Sequence, residues 1–135
     1  MRIHHIGYLV RDMGRAREAF LRLGYEDVSG VVPDALRRVE LCFLQKDGCT
    51  VELVCSAGPD SAVAGLVKRY QNAPYHLCYE AERFDADLAA LERDGYTRMD
   101  DPAPAPAFGG RRVVFLMSPA VGILELIEEP CSSIK

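Results

Sequence analysis

Two histidines and two glutamates stand at matched places in this sequence, where side chains of their type could hold a divalent metal. His5 opens the run His5-Ile6-Gly7-Tyr8-Leu9-Val10, and His76 opens His76-Leu77-Cys78-Tyr79-Glu80, 71 residues later. Glu52 lies in Val51-Glu52-Leu53-Val54 and Glu125 in Leu124-Glu125-Leu126-Ile127, 73 residues apart. Leu23-Gly24-Tyr25 and Asp94-Gly95-Tyr96 keep the 71-residue step. Each half thus carries an early His and a late Glu, 47 residues apart in one and 49 in the other. A duplication of this length is a supersecondary unit repeated. Any one of the four, taken alone, reads as a polar residue facing water from a half-exposed sheet. A carboxylate in an apolar run is costly to bury unless it is paired or bound to a metal. At matched repeat positions the four read as one metal site. Two imidazoles and two carboxylates leave two positions of an octahedral ion open for water or a bidentate ligand. The set suits Zn, Co, Ni, Fe or Mn without choosing among them.

Glu40 is the asymmetric residue. Aligning Arg37-Arg38-Val39 with Arg111-Arg112-Val113 sets Glu40 against Val114, so this carboxylate occurs in one half only. A neighbouring strand and a face compatible with that of Glu52 are expected for it. A catalytic base need occur only once. His4 should point away from His5 and serve the structure or the surface. Cys42 has no base placed for it and is a weak candidate nucleophile.

The elements that must position these residues follow from periodicity. Ile3 to Val10 reads as a strand, with His5, Gly7 and Leu9 on one face. Asp12 caps a helix whose Met13, Ala16, Phe20 and Leu23 recur at helical spacing, and Gly24 ends it. Tyr25 to Val32 reads as a strand broken by Gly30 and Pro33. Val39 to Leu44 and Thr50 to Cys55 form a hairpin about Lys46-Asp47-Gly48. Ser61 to Tyr70 is a helix within a connector. The pattern then returns: a strand over Tyr75 to Glu80, a helix over Phe84 to Arg93 closed by Gly95, and strands over Val113 to Met117 and Val121 to Ile127. Asp100 to Gly110, with Pro102, Pro104 and Pro106, cannot be a central strand or a helix and is expected to act as a lid or binding loop. The tail from Glu129 is expected to fray.

A chain of 135 residues, 49% apolar and 27% charged, is expected to form one domain, with module one at about 1–57, a connector at 58–73 and module two at about 74–129. A net charge of -4 offers no basic patch for nucleic acid. Five cysteines without a CxxC spacing indicate a reducing compartment, with neither a disulfide framework nor a zinc finger. Neither a signal peptide nor a membrane span is expected, which predicts a cytoplasmic protein.

His5-Ile6-Gly7, Val51-Glu52-Leu53, His76-Leu77 and Leu124-Glu125-Leu126-Ile127, on paired βαβββ units, resemble the vicinal oxygen chelate superfamily, which includes glyoxalases, bleomycin-resistance proteins and dioxygenases. Gly58-Pro59-Asp60-Ser61-Ala62-Val63-Ala64-Gly65-Leu66 and Gly109-Gly110-Arg111-Arg112-Val113-Val114-Phe115-Leu116 are similar to the methylmalonyl-CoA epimerase branch. The resemblance implies an α+β fold: two βαβββ modules in one domain, with a curved, mostly antiparallel eight-stranded sheet enclosing a metal site and helices outside. It implies that His5, Glu52, His76 and Glu125 bind a divalent metal, and that Glu40 and Glu125 act as the two bases of an epimerase. Arg111 and Arg112, with Lys68 and Arg69, are candidate contacts for the phosphates of an acyl-CoA. A homodimer is implied too. The sequence departs from the branch in Ala19-Phe20, in Ser118-Pro119 and in Glu52, which resembles the glyoxalases instead. The alternatives are therefore a glyoxalase I-type lyase acting on a glutathione hemithioacetal, or a metal-free binding or resistance protein. A dioxygenase fits less well, since a fourth protein ligand would compete for an open position.

Overall fold

A computed structural model of the chain describes residues 1–130, which fall into two compact units. One runs from His5 to Tyr75; the other comprises Met1–His4 and the chain from His76. The connector thus goes with the first half of the sequence, and the first four residues go with the second.

In the His5–Tyr75 unit the strands lie in the order β2 (Glu26–Asp34), β3 (Val39–Lys46), β4 (Cys49–Ser56) and β1 (Arg2–Val10). β1 pairs parallel with β4, and the other pairs are antiparallel. Helix α1 (Met13–Arg22) begins where the Asp12 side chain accepts from the Arg15 amide. It packs Met13, Ala16 and Phe20 on a core of Val10, Cys42, Leu44, Val51, Leu53 and Cys55. These strand residues alternate with those of the opposite face, the pattern of a sheet covered on one side by a helix. The connector helix α2 (Ala64–Tyr70) is shorter at its start than expected.

The other unit repeats the plan. β5 (Ala73–Ala81) pairs parallel with β9 (Gly122–Glu128), which pairs antiparallel with β8 (Arg112–Ser118). Helix α3 (Phe84–Arg93) sets Phe84 and Leu88 on Val114, Leu116, Leu124 and Leu126. Two short strands, β6 (Thr97–Arg98) and β7 (Ala103–Pro104), both pair with β8. They bring the strands among the described residues to nine, one more than expected. β2 is continuous but shifts register between Asp27 and Val31, and in the second unit the corresponding strand is split in two. Pro33 is tolerated because β2 pairs on one side only, with β3. The proline-rich segment adds only β7 and a 3-10 turn at Pro106–Phe108.

The register corrects the alignment of the halves. Phe43 faces Glu52 as Phe115 faces Glu125, and Pro33 faces Glu40 as Pro104 faces Arg112. Glu40 therefore corresponds to Arg112, not to Val114. Glu129 donates its amide to the Ala81 carbonyl, and the tail beyond Pro130 lies outside the described residues. Cys42, Cys49 and Cys55 are free thiols. Among the described residues no helix is long and apolar enough to cross a membrane.

Candidate functional site

Each unit holds the same constellation. In the His5–Tyr75 unit, parallel pairing sets Gly7 beside Glu52, so His5, two residues before Gly7, shares that face. The His5 Nε2 and Glu52 Oε1 atoms are 3.4 Å apart. The Phe43 ring meets the imidazole edge to face at 5.5 Å. In the other unit His76 Nε2 lies 3.3 Å from Glu125 Oε1, and Phe115 meets the His76 ring edge to face at 5.2 Å. His5, Glu52, His76 and Glu125 are 1%, 3%, 4% and 3% exposed. The phenylalanines were not foreseen, although both lie directly across the ladder from the glutamates, where alternation could have found them. Their edge-to-face contacts favour one orientation of each imidazole plane. A buried carboxylate 3.3–3.4 Å from an imidazole nitrogen is a donor set that suits a borderline divalent ion.

Glu40 is not on this face. It pairs in register with Cys55, and Cys55 lies on the α1 side with Leu53. The expected face was therefore wrong: Glu40 is an odd number of residues from Phe43, and alternation turns it to the helix side. There, burial pushes the Cys55 thiol up and the Glu40 charge adds to the push. On the same side, burial pushes the Cys42 thiol up to about 11. A thiol held protonated in this way is no nucleophile.

The carboxylate that does share the face of Glu52 is Asp34. It pairs with Val39, which lies on the Phe43 side of β3, and it is 2% exposed. Its Oδ1 accepts from the Arg37 amide at 3.1 Å and its Oδ2 from Arg37 Nη1 at 2.9 Å. His4 rests edge to face on Phe108 at 5.6 Å, a packing role.

The candidate phosphate contacts separate. Arg112 faces α3, where it lies over the Phe84 ring and donates to Glu128 and Asp85, so it turns away from the His76 face. Lys68 and Arg69 stand in the last turn of α2. Arg111 is on the His76 side and donates to Glu80 Oε2 at 2.9 Å, while Arg2 donates to Glu80 Oε1 at 2.6 Å. Burial raises the Glu80 carboxyl, but the bonds from Arg111 and Arg2 outweigh it and hold the pKa below the ordinary 4.5. A depressed folded pKa gives stability that is present above the ordinary value and lost as pH falls through the folded one. Glu80→Gln should cost about 1–2 kcal/mol near neutrality. The difference from the parent should shrink in thermal melts taken below pH 4; a constant difference would mean that Glu80 acts without its charge.

The chain is similar to several known proteins. Mitochondrial methylmalonyl-CoA epimerase of Mus musculus is 28% identical over 116 residues, covering 85% of this chain. The chain spans 65% of that relative's length. A hypothetical protein from Bacillus halodurans C-125 has the same fold, with a TM-score of 0.84 at 17% identity over 99% of this chain and 98% of the other. A variant of methylmalonyl-CoA epimerase from Streptomyces coelicolor, in complex with 2-nitronate-propionyl-CoA, superposes with a TM-score of 0.77 at 23% identity over 97% of this chain and 99% of the other. Residues 4–115, from the first histidine pair through the Phe115 that packs on His76, match the family model, and the chain belongs to the Glyoxalase/Bleomycin resistance protein/Dioxygenase superfamily.

Proposed function

We propose that the chain is a divalent-metal-dependent epimerase of an acyl-CoA, acting by proton abstraction next to a carbonyl as methylmalonyl-CoA epimerases do. The observation that carries this is the buried His–Glu–Phe constellation, present once in each unit. His5, Glu52, His76 and Glu125 would hold the ion; together they are donors of the number and kind that can bind one. When bound, such an ion supplies Lewis acidity at two substrate oxygens. Glu125 would carry a proton at Oε and deliver it to the substrate's α-carbon. Phe43 and Phe115 would exclude water and hold both imidazoles in place. The similarity to the mouse epimerase supports the reaction, and the acyl-CoA analogue in the Streptomyces protein supports the substrate class.

Protein purified without chelator is expected to hold one ion per chain by elemental analysis. His5→Ala and His76→Ala should each abolish occupancy, although they lie in different units. Two ions per chain, or metal retained by either variant, would break the four-donor reading. Exchange of the α-proton of methylmalonyl-CoA in deuterated water tests the chemistry. Glu52, a carboxylate like Glu125, favours a second reading as a glyoxalase I-type lyase. Turnover of a glutathione hemithioacetal without α-proton exchange of acyl-CoA would select it.

A further inference from the structure

We infer that Met99, Met117 and Ile123 form the surface that takes the alkyl group on the substrate's α-carbon, so that the chain accepts acyl-CoAs with α-substituents longer than methyl. This rests on the epimerase reading above and names the substrate range of the same site. All three residues belong to the unit that holds His76 and Glu125. On the ladder of β8 and β9, Phe115 faces Glu125, and the neighbouring pairs on that face are Val113 with Ile127 and Met117 with Ile123. The first pair is dry, at 1% and 0% exposure, whereas Met117 is 46% exposed. A group held at Glu125 therefore has room in one direction along the strands, toward Met117 and Ile123, about 7 Å away. Met99 widens this open end. Thr97 pairs with Met117, so Met99, two residues on, shares the face; its amide donates to the Phe115 carbonyl at 2.8 Å. Its side chain is 47% exposed.

In the His5–Tyr75 unit Phe43 faces Glu52 as Phe115 faces Glu125, and Leu41 with Val54 is buried like Val113 with Ile127. At the open end the match stops. Gln45 and Thr50 stand there in the places of Met117 and Ile123, and Gln45 Nε2 donates to Thr50 Oγ1 at 3.1 Å. The ladder thus ends equally well in a hydrogen-bonded polar pair, and the fold does not require apolar side chains at this place. Single exposed apolar residues are ordinary, but three together on one face, beside a buried carboxylate of the site, mark a surface for an apolar group. Methionine suits groups of differing length, because its unbranched side chain re-packs readily. The alkyl group is held alike in the ground state and the transition state, so its contacts act on KM and leave kcat to the acid–base groups.

The double variant Met117→Gln/Ile123→Thr copies the pair that ends the other unit's ladder, so it should fold and keep its metal. The probes are methylmalonyl-CoA and its homologues with ethyl or butyl in place of the α-methyl, followed by α-proton exchange in deuterated water. The parent should exchange all of them. In the double variant the ratio of kcat/KM for the butyl over the methyl substrate should fall about 10-fold or more, carried by KM, because the added methylenes lose their apolar contact. A structural fault would slow every substrate alike. The parent's ratio in the folded double variant, or a parent that exchanges the methyl substrate and rejects the longer ones, would overturn the inference and leave the epimerase reading standing. So would a double variant whose only change is a lost dimer in sedimentation, which would make this face a contact between copies of the chain. A parent that exchanges the α-proton of none of the probes would overturn the epimerase reading, and the inference with it.

Discussion

The double substitutions His5→Leu/Glu52→Leu and His76→Leu/Glu125→Leu are expected to stabilise the metal-free protein and to abolish its metal-dependent chemistry. Each pair is nearly dry and set among apolar strands. Replacing a whole buried polar pair with apolar groups of similar volume is often neutral or stabilising by about 1–4 kcal/mol, which for a chain of this size is a rise of several degrees in melting temperature. Removing both partners also leaves no stranded charge. The lost Lewis acid is worth several kcal/mol of transition-state stabilisation, so exchange should fall by roughly 10³-fold or more. Opposite signs in calorimetry and in the exchange assay would mark the pairs as held for function against stability. A drop in melting temperature for both double variants would instead make them structural hydrogen-bonding units, and would remove the main support for a metal.

Most of this was legible from the sequence, because the information lay in alternation and repetition. A period of two assigned His5 and Glu52 to their faces, and the duplicated His and Glu positions marked the constellation before any strand was paired. Glu40 failed for a reason internal to that method. The arginine pairs stand at different places before β3 and β8: pairing sets Phe43 against Phe115, 72 residues apart, whereas aligning on the arginines set the strands 74 apart and slid the register by two residues. A slip of that size keeps a side chain on its nominal face but gives it the wrong counterpart. The face error was separate: Glu40 and Glu52 lie on different strands, and only the pairing of Phe43 with Glu52 decides which residues of β3 share a side with Glu52. Asp34 was hidden by turn chemistry, since Pro33-Asp34 reads as a turn signal although β2 runs to Asp34. The matching prolines, Pro33 and Pro104, were the signal that could have found it.

Alternation also predicts how far a core defect should travel. Leu53 and Leu126 follow Glu52 and Glu125 by one residue, are fully buried, and face α1 and α3 in their own units. Leu53→Ala and Leu126→Ala should each cost about 3–4 kcal/mol, the transfer of the lost atoms plus a cavity, lowering the melting temperature by roughly 10 °C or more. Because successive side chains of a strand point to opposite faces, the cavity opens under the helix while the glutamate next to it keeps its imidazole and its phenylalanine. Well below the melting transition, both variants should therefore bind metal with an affinity within a few-fold of the parent's in a calorimetric titration. A folded Leu126→Ala variant that no longer bound the ion would mean that the backbone of β9 carries the disturbance from one face to the other. The position of Glu125 would then depend on the packing of α3 as well as on the strand.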